Sequence, residues 1–170
     1  MIAKRSSVPP KDGFVLLALV RAFGPGRGLE MGTSVGVSAA YQASGMHLNG
    51  SGELVTLEGH HDLVEQAREL WRSLGLVNVT AVVGRFDNSL PRVLRANRLD
   101  YAFIDGNHHE TATVQYFERI AARANPGALL VFDDITWSPG MLRAWKRIRR
   151  DPRIAAHATT GRFGVVVLST

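Results

Sequence analysis

Between residues 29 and 149 the sequence alternates, five times over, between a short apolar run and a helix-patterned segment. The runs at 29–31, 53–57, 77–83, 101–104 and 128–132 read as strands, and 37–44, 62–74, 88–96, 111–124 and 138–149 read as helices. Such alternation demands a mostly parallel sheet with right-handed crossovers that put helices on both of its faces. The runs 101–104 and 128–132 are almost wholly apolar, as strands covered on both sides must be. The pattern changes at the end of the chain, where runs at 154–158 and 163–168 are separated only by a short Thr-Thr-Gly-Arg link. That spacing predicts an antiparallel hairpin closing one edge of the sheet. The expected fold class is therefore α/β: a three-layer, doubly wound sheet, mostly parallel, with a C-terminal antiparallel hairpin. An apolar helix over 12–23 precedes it, starting after Pro9-Pro10 and stopped by Gly24-Pro25-Gly26. Two finer expectations concern helix faces. In 62–74, Leu63, Ala67, Leu70 and Leu74 keep the helical period and form the buried stripe. In 88–96, Pro91 falls in the first turn, where a missing N–H costs nothing.

A chain of 170 residues without cysteine can form one ordinary core, and it excludes disulfide frameworks, thiolate metal sites and a cysteine nucleophile. A single domain over 1–170 is expected, because no linker, repeat or low-complexity tract divides it. The residues before Lys11 hold charges and two prolines but no apolar run leading to a cleavage site, so a cytoplasmic protein with no membrane partner is expected. The net charge of +5 raises the question of an anionic partner. Arg143, Lys146, Arg147, Arg149, Arg150 and Arg153 carry much of it, in and after the last helix and without interleaved aromatics. A solvated helix face accounts for them better than a nucleic-acid footprint.

In doubly wound sheets, ligands bind beyond the carboxyl ends of the strands, so chemistry is sought in the residues that follow each run. Those residues are Glu30 with the turn Gly32, Thr33, Ser34, Val35, Gly36; then Glu58 and Gly59; Gly84 to Asp87; Asp105 to His109; and Asp133 with Asp134. The first turn lacks the dinucleotide fingerprint, since Ser34 and Val37 stand where it requires glycines. A carboxylate at Glu30 would repel a pyrophosphate and attract an ammonium or sulfonium. A second carboxylate, Glu58, follows Gly36 by 22 residues, room for one helix and one strand, and is placed to accept from both hydroxyls of a ribose. Nucleoside and cation together point to S-adenosylmethionine. Taken singly, Gly32 and Gly36 also serve a tight turn, and Glu58 an exposed strand end; taken in order, they favour a cofactor site.

These segments resemble the class I S-adenosylmethionine-dependent methyltransferases: LEMGTSVG looks like their first motif, VTLEG their ribose-binding strand end and VVGRFDNSLP their adenine-side segment. The resemblance covers residues from about 29 to 168 and implies a Rossmann-like cofactor-binding core over 28–170, behind an N-terminal segment and helix at 1–27. It implies cofactor contacts from Glu30, Gly32, Thr33, Ser34, Gly36, Glu58, Gly59, Gly84, Phe86, Asp87 and Asp105. FIDGNHHE and VFDDITW look closest to the small-molecule O-methyltransferases of the catechol and caffeoyl-CoA type. That likeness implies a divalent cation, Mg2+ or else Ca2+ or Mn2+, on Asp105, Asp133 and Asp134, with Asp134 standing where the family has asparagine. It also implies a general base three residues after the first metal aspartate, which here is His108, and an aromatic wall for the acceptor at Trp137. His108 is preferred to the adjacent His109 because neighbouring side chains diverge.

The function so implied is methylation of a small hydroxylated molecule. Related families carry several helices ahead of the first motif and this chain shows one, so its acceptor site is expected to be open, completed by a partner subunit in a homodimer, or absent because the chain is a fragment. Two rivals remain open: an RNA methyltransferase using the basic last helix, and a catalytically idle S-adenosylmethionine-binding module.

Overall fold

The computed structural model describes residues 8–96 and 98–169. Seven strands follow the order β3-β2-β1-β4-β5-β7-β6 in one sheet, and helices connect the parallel ones. The packing divides the chain into two compact units, Met1–Arg92 and Val93–Thr170.

In the first unit, α1 (Pro10–Phe23) begins with Pro10 at its first position and ends at Gly24, whose left-handed backbone returns its N–H to Val20. It lies against α2 (Val37–Leu48), and the missing side chain of Gly13 makes room for the Tyr41 ring. The strands β1 (Arg27–Met31), β2 (Glu53–Glu58) and β3 (Val79–Val83) pair in parallel, with Glu30 opposite Thr56 and Glu58 opposite Val83. Leu29, Met31, Leu54 and Leu57 are buried in the core of this unit.

Two helices of this region differ from expectation. In α3 (His61–Ser73) the buried stripe is Val64, Ala67 and Trp71, while Leu74 is exposed. Both sets keep the helical period, and Trp71 decides between them. Its indole is the largest apolar group on the helix, and its N–H finds a buried acceptor in the carbonyl of Gly36. Helix α4 (Phe86–Ala96) starts two residues earlier than expected, so Pro91 lies inside it. The carbonyl of Arg85 already accepts from the N–H groups of Asn88 and Ser89, which starts the helix at Phe86.

The second unit holds β4 (Leu99–Ile104) and β5 (Ala124–Phe132) in parallel. β7 (Gly164–Leu168) runs antiparallel between β5 and β6 (Ile154–Thr159), as expected for the terminal hairpin. Helix α5 (Glu110–Ala121) stops three residues short of the expected end. The chain is needed for β5 from Ala124 onward, where the Arg98 guanidinium donates to the Ala124 carbonyl. Helix α6 (Pro139–Ile148) is capped by Ser138, whose hydroxyl accepts from the N–H of Met141. Met141 and Trp145 are buried core residues. Among the described residues, no helix is long and apolar enough to cross a membrane.

Candidate active site

The turn after β1 is held from below by a buried polar chain. Glu30 has no exposed surface; one carboxylate oxygen accepts from Gln42 (2.7 Å) and the other from the Thr56 hydroxyl (2.6 Å). Thr56 also lies 2.6 Å from the Thr33 hydroxyl. A threonine has a single O–H, so with that of Thr56 given to Glu30, Thr33 must donate to Thr56. Glu30 is therefore tied to the turn through Thr56 and Thr33. Burial demanded this arrangement, since a carboxylate inside a parallel strand has to find donors.

The turn itself is tight. The backbone of Ser34 is left-handed (φ 48°), as is that of Gly36 (φ 82°), and the N–H of Gly36 donates to the Thr33 carbonyl. At Gly36 a side chain would meet the Cβ of Ala67 at 2.6 Å, so glycine serves both the backbone conformation and the packing of α3. Across the turn, Glu58 ends β2 with one carboxylate oxygen accepting from the Ser34 N–H (2.9 Å) and the other from the His60 N–H (3.0 Å). These two bonds aim the carboxylate and leave each oxygen with further acceptor capacity. A side chain added at Gly59 would meet nothing within 4 Å. The N–H of Gly84 donates to the Glu58 carbonyl, which brings the end of β3 beside that of β2. Phe86 and Asp87, expected in a loop, form the first turn of α4; Phe86 is half-buried and Asp87 exposed.

The second unit carries a separate cluster after β4 and β5. Asn107 and His108 both have left-handed backbones (φ 64° and 35°), uncommon for residues with side chains. The Asn107 amide donates to the Tyr116 hydroxyl (2.7 Å), and the His108 Nε2 lies 3.3 Å from Asp105 Oδ1. Burial pushes the Asp105 carboxyl up to about 6, against the opposing pull of His108. The bond to Asp105 in turn holds the His108 imidazole above its ordinary value. His109 is exposed at the start of α5. The ring of Trp137, 71% exposed, lies 6.3 Å from that of His108.

Asp133 is buried, and both its oxygens accept from one guanidinium: Arg162 Nε to Oδ1 and Nη2 to Oδ2, each at 2.5 Å. Oδ1 also accepts the Asp134 N–H (2.7 Å), and Arg162 Nε lies 3.4 Å from Asp134 Oδ1. These bonds hold the Arg162 guanidinium above its ordinary value. The three aspartates expected to ligate a divalent cation are thus neighbours, but Asp133 and Asp134 already face Arg162 and Asp105 faces His108. Among the described residues, no group of three or more His, Cys, Asp or Glu converges as a metal site. The donor set does not fit the expected cation.

Residues 29–135 match the family model described as a methyltransferase domain. The chain belongs to that family. Solved structures similar to this methyltransferase agree in fold. An O-methyltransferase from Bacillus cereus, in complex with S-adenosylhomocysteine, is 23% identical; the match covers 97% of this chain and 83% of that one, with a TM-score of 0.81. Cofactor-bound Rv0187 from MTB is 25% identical over 96% of this chain and 82% of that one, with a TM-score of 0.84. The O-methyltransferase TomG from Streptomyces achromogenes, involved in tomaymycin synthesis and in complex with S-adenosylmethionine, is 23% identical over 97% and 82%, with a TM-score of 0.83. No curated protein is similar at a significant level.

Three residues of this methyltransferase were not legible as site residues: Gln42 and Thr56, which hold Glu30, and Arg162, which holds Asp133. The antiparallel register explains the last. Phe132 pairs with Gly164, so the two residues beyond Phe132 run back alongside Phe163 and Arg162. In the basic late segment, Arg143 pairs with Glu110 and Arg153 with Glu118 and Asp151.

Proposed function

We propose that this methyltransferase transfers a methyl group from S-adenosylmethionine to a hydroxyl oxygen of a small molecule. The observation that carries the reading is the Glu58 carboxylate, fixed by the Ser34 and His60 N–H groups across the glycine turn. Its remaining acceptor capacity suits the two hydroxyls of a ribose, and the open space at Gly59 suits a ligand passing close to the backbone. The start of α2 has no side-chain cap, so its N–H groups suit the carboxylate at the amino-acid end of the donor. Phe86, at the head of α4, is the candidate for the adenine face.

The chemical step balances simply. The acceptor oxygen forms a bond to the methyl carbon, the C–S bond breaks, its electron pair stays on sulfur, and neutral S-adenosylhomocysteine leaves. The hydroxyl proton needs a base, and His108 suits the task. Asp105 accepts from Nε2, which orients the ring, leaves Nδ1 for the acceptor proton and stabilises the imidazolium that results. Trp137 offers a flat apolar surface beside that base for an aromatic acceptor. No step is routed through a divalent cation, because the aspartates that would hold one are otherwise engaged.

Methyl transfer from labelled S-adenosylmethionine to catechols, phenols and sugars tests the reading. His108→Ala should lower kcat by roughly a hundredfold or more with the donor KM nearly unchanged. An unchanged kcat would reject His108 as base, and no transfer to any hydroxylated acceptor would reject the O-methyltransferase reading.

A further inference from the structure

We propose that Arg162 is the built-in cation of this site: its guanidinium takes the place on Asp133 that a divalent ion would otherwise hold, and the chain works without such an ion. The inference goes beyond methyl transfer and rests on the geometry of the second unit alone.

Three observations carry it. First, Asp133 is heavily engaged. Its side chain has no exposed surface, and its two oxygens accept two guanidinium N–H groups in parallel and one backbone N–H. A paired fork of this kind is the strongest geometry a carboxylate and an arginine can adopt. A calcium ion needs six to eight oxygen ligands and magnesium a near-ideal octahedron. Either ion would first have to strip these bonds from a buried carboxylate.

Second, the guanidinium bridges. Besides Asp133 it lies 3.4 Å from Asp134, so one fixed positive charge serves two of the three carboxylates. The third, Asp105, is met by His108. The cluster that looks like a ligand set is a polar network built around one fixed cation, Arg162.

Third, Arg162 is anchored at both ends. Its N–H donates to the Thr160 carbonyl, its carbonyl accepts from Ile135, and its guanidinium carbon lies 5.9 Å from the centre of the Phe163 ring. The loop that presents Asp133 and the hairpin that presents Arg162 are therefore bonded through backbone as well as side chain. A surface rotamer would swing away from an arriving ion; this one is held in place.

The consequence is measurable without any acceptor. Titrating Mn2+ into the whole chain, followed by the loss of the free-ion paramagnetic resonance signal, reports ion binding directly. For the wild type, no saturable binding is expected up to about 1 mM, the weak end of protein sites for hard cations. Stoichiometric binding at micromolar Mn2+ with Arg162 intact overturns the proposal by itself, whatever any variant does. Arg162→Ala frees the carboxylates and should bind Mn2+ on the order of a hundredfold more tightly than the wild type. Asp133→Asn in that background should abolish the gain. Arg162→Ala that is folded by circular dichroism yet binds no better than the wild type also counts against the proposal. Should Arg162→Ala not fold, Arg162→Lys, which keeps the charge and loses the fork, takes its place with a smaller gain in the same direction. Chelation should leave S-adenosylhomocysteine affinity and methyl transfer unchanged. A failure of the methyltransferase reading would leave the ion titration untouched, so the two are separable.

Discussion

Gly36 joins the candidate cofactor turn to the packing beneath it, and replacing it should be costly. Its φ of 82° is left-handed, which costs a residue with a side chain about 1 kcal/mol or somewhat more. The new Cβ would stand 2.6 Å from the Cβ of Ala67, 2.8 Å from the indole nitrogen of Trp71 and 3.0 Å from the Cα of Ala67. Backbone cannot yield as a flexible side chain can, so overpacking adds roughly 1–3 kcal/mol. Moving the two helices apart would also stretch the buried bond from Trp71 to the Gly36 carbonyl, worth about 1 kcal/mol. Together Gly36→Ala should lose about 3–5 kcal/mol, which lowers Tm by roughly 6–20 °C in a chain of this size. Urea denaturation followed by circular dichroism measures it, with Gly59→Ala as the comparison. A methyl at Gly59 meets no protein atom, so stability should stay within about 0.5 kcal/mol. If a nucleoside passes there, S-adenosylhomocysteine affinity should nevertheless fall at least about fivefold, near 1 kcal/mol. A Gly36→Ala loss below about 1 kcal/mol would refute the packing argument. Unchanged affinity in Gly59→Ala would refute the placement of the ligand.

Two further outcomes follow from the polar contacts. Thr56→Val removes the donor to Glu30 and the acceptor of Thr33 together, and should cost about 1–3 kcal/mol in urea denaturation; Thr56→Ser should retain most of the stability, and equal losses in both variants would contradict the network. Arg153 holds the Asp151 carboxyl below the usual carboxylate range, so its stabilisation is complete above the unfolded pKa of about 4 and is lost as pH falls through the lower folded value. Asp151→Asn should therefore cost at most about 1 kcal/mol at neutral pH, with the gap to the wild type closing in acid. A gap that widens in acid would show that the ion pair is not its source.

The alternation of strands and helices was readable because parallel strands such as Leu129 to Phe132 are covered on both faces and leave unbroken apolar runs. The hairpin was readable because only a short link separates its strands. What escaped was settled by tertiary partners. The stripe of α3 turned on the bond from Trp71 to Gly36, a residue 35 positions away. The charge of Glu30 is legible in the sequence, but its protein partners, Gln42 and Thr56, lie 12 and 26 residues away. Asp133 matched a metal-binding position by motif, but its partner, Arg162, comes from the far hairpin, 29 residues on. Local patterns carry the strand ends well, and they carry poorly the identity of what a buried carboxylate meets.

Calorimetric titration of S-adenosylhomocysteine into the whole chain, wild type and Glu58→Gln, addresses the central claim most directly. The account predicts saturable one-to-one binding that Glu58→Gln weakens at least about tenfold, because an amide offers one acceptor where the carboxylate offers two. Absence of heat and of any thermal shift with the wild type would contradict the methyl-donor site, and equal affinity in the two proteins would contradict the role of Glu58 within it.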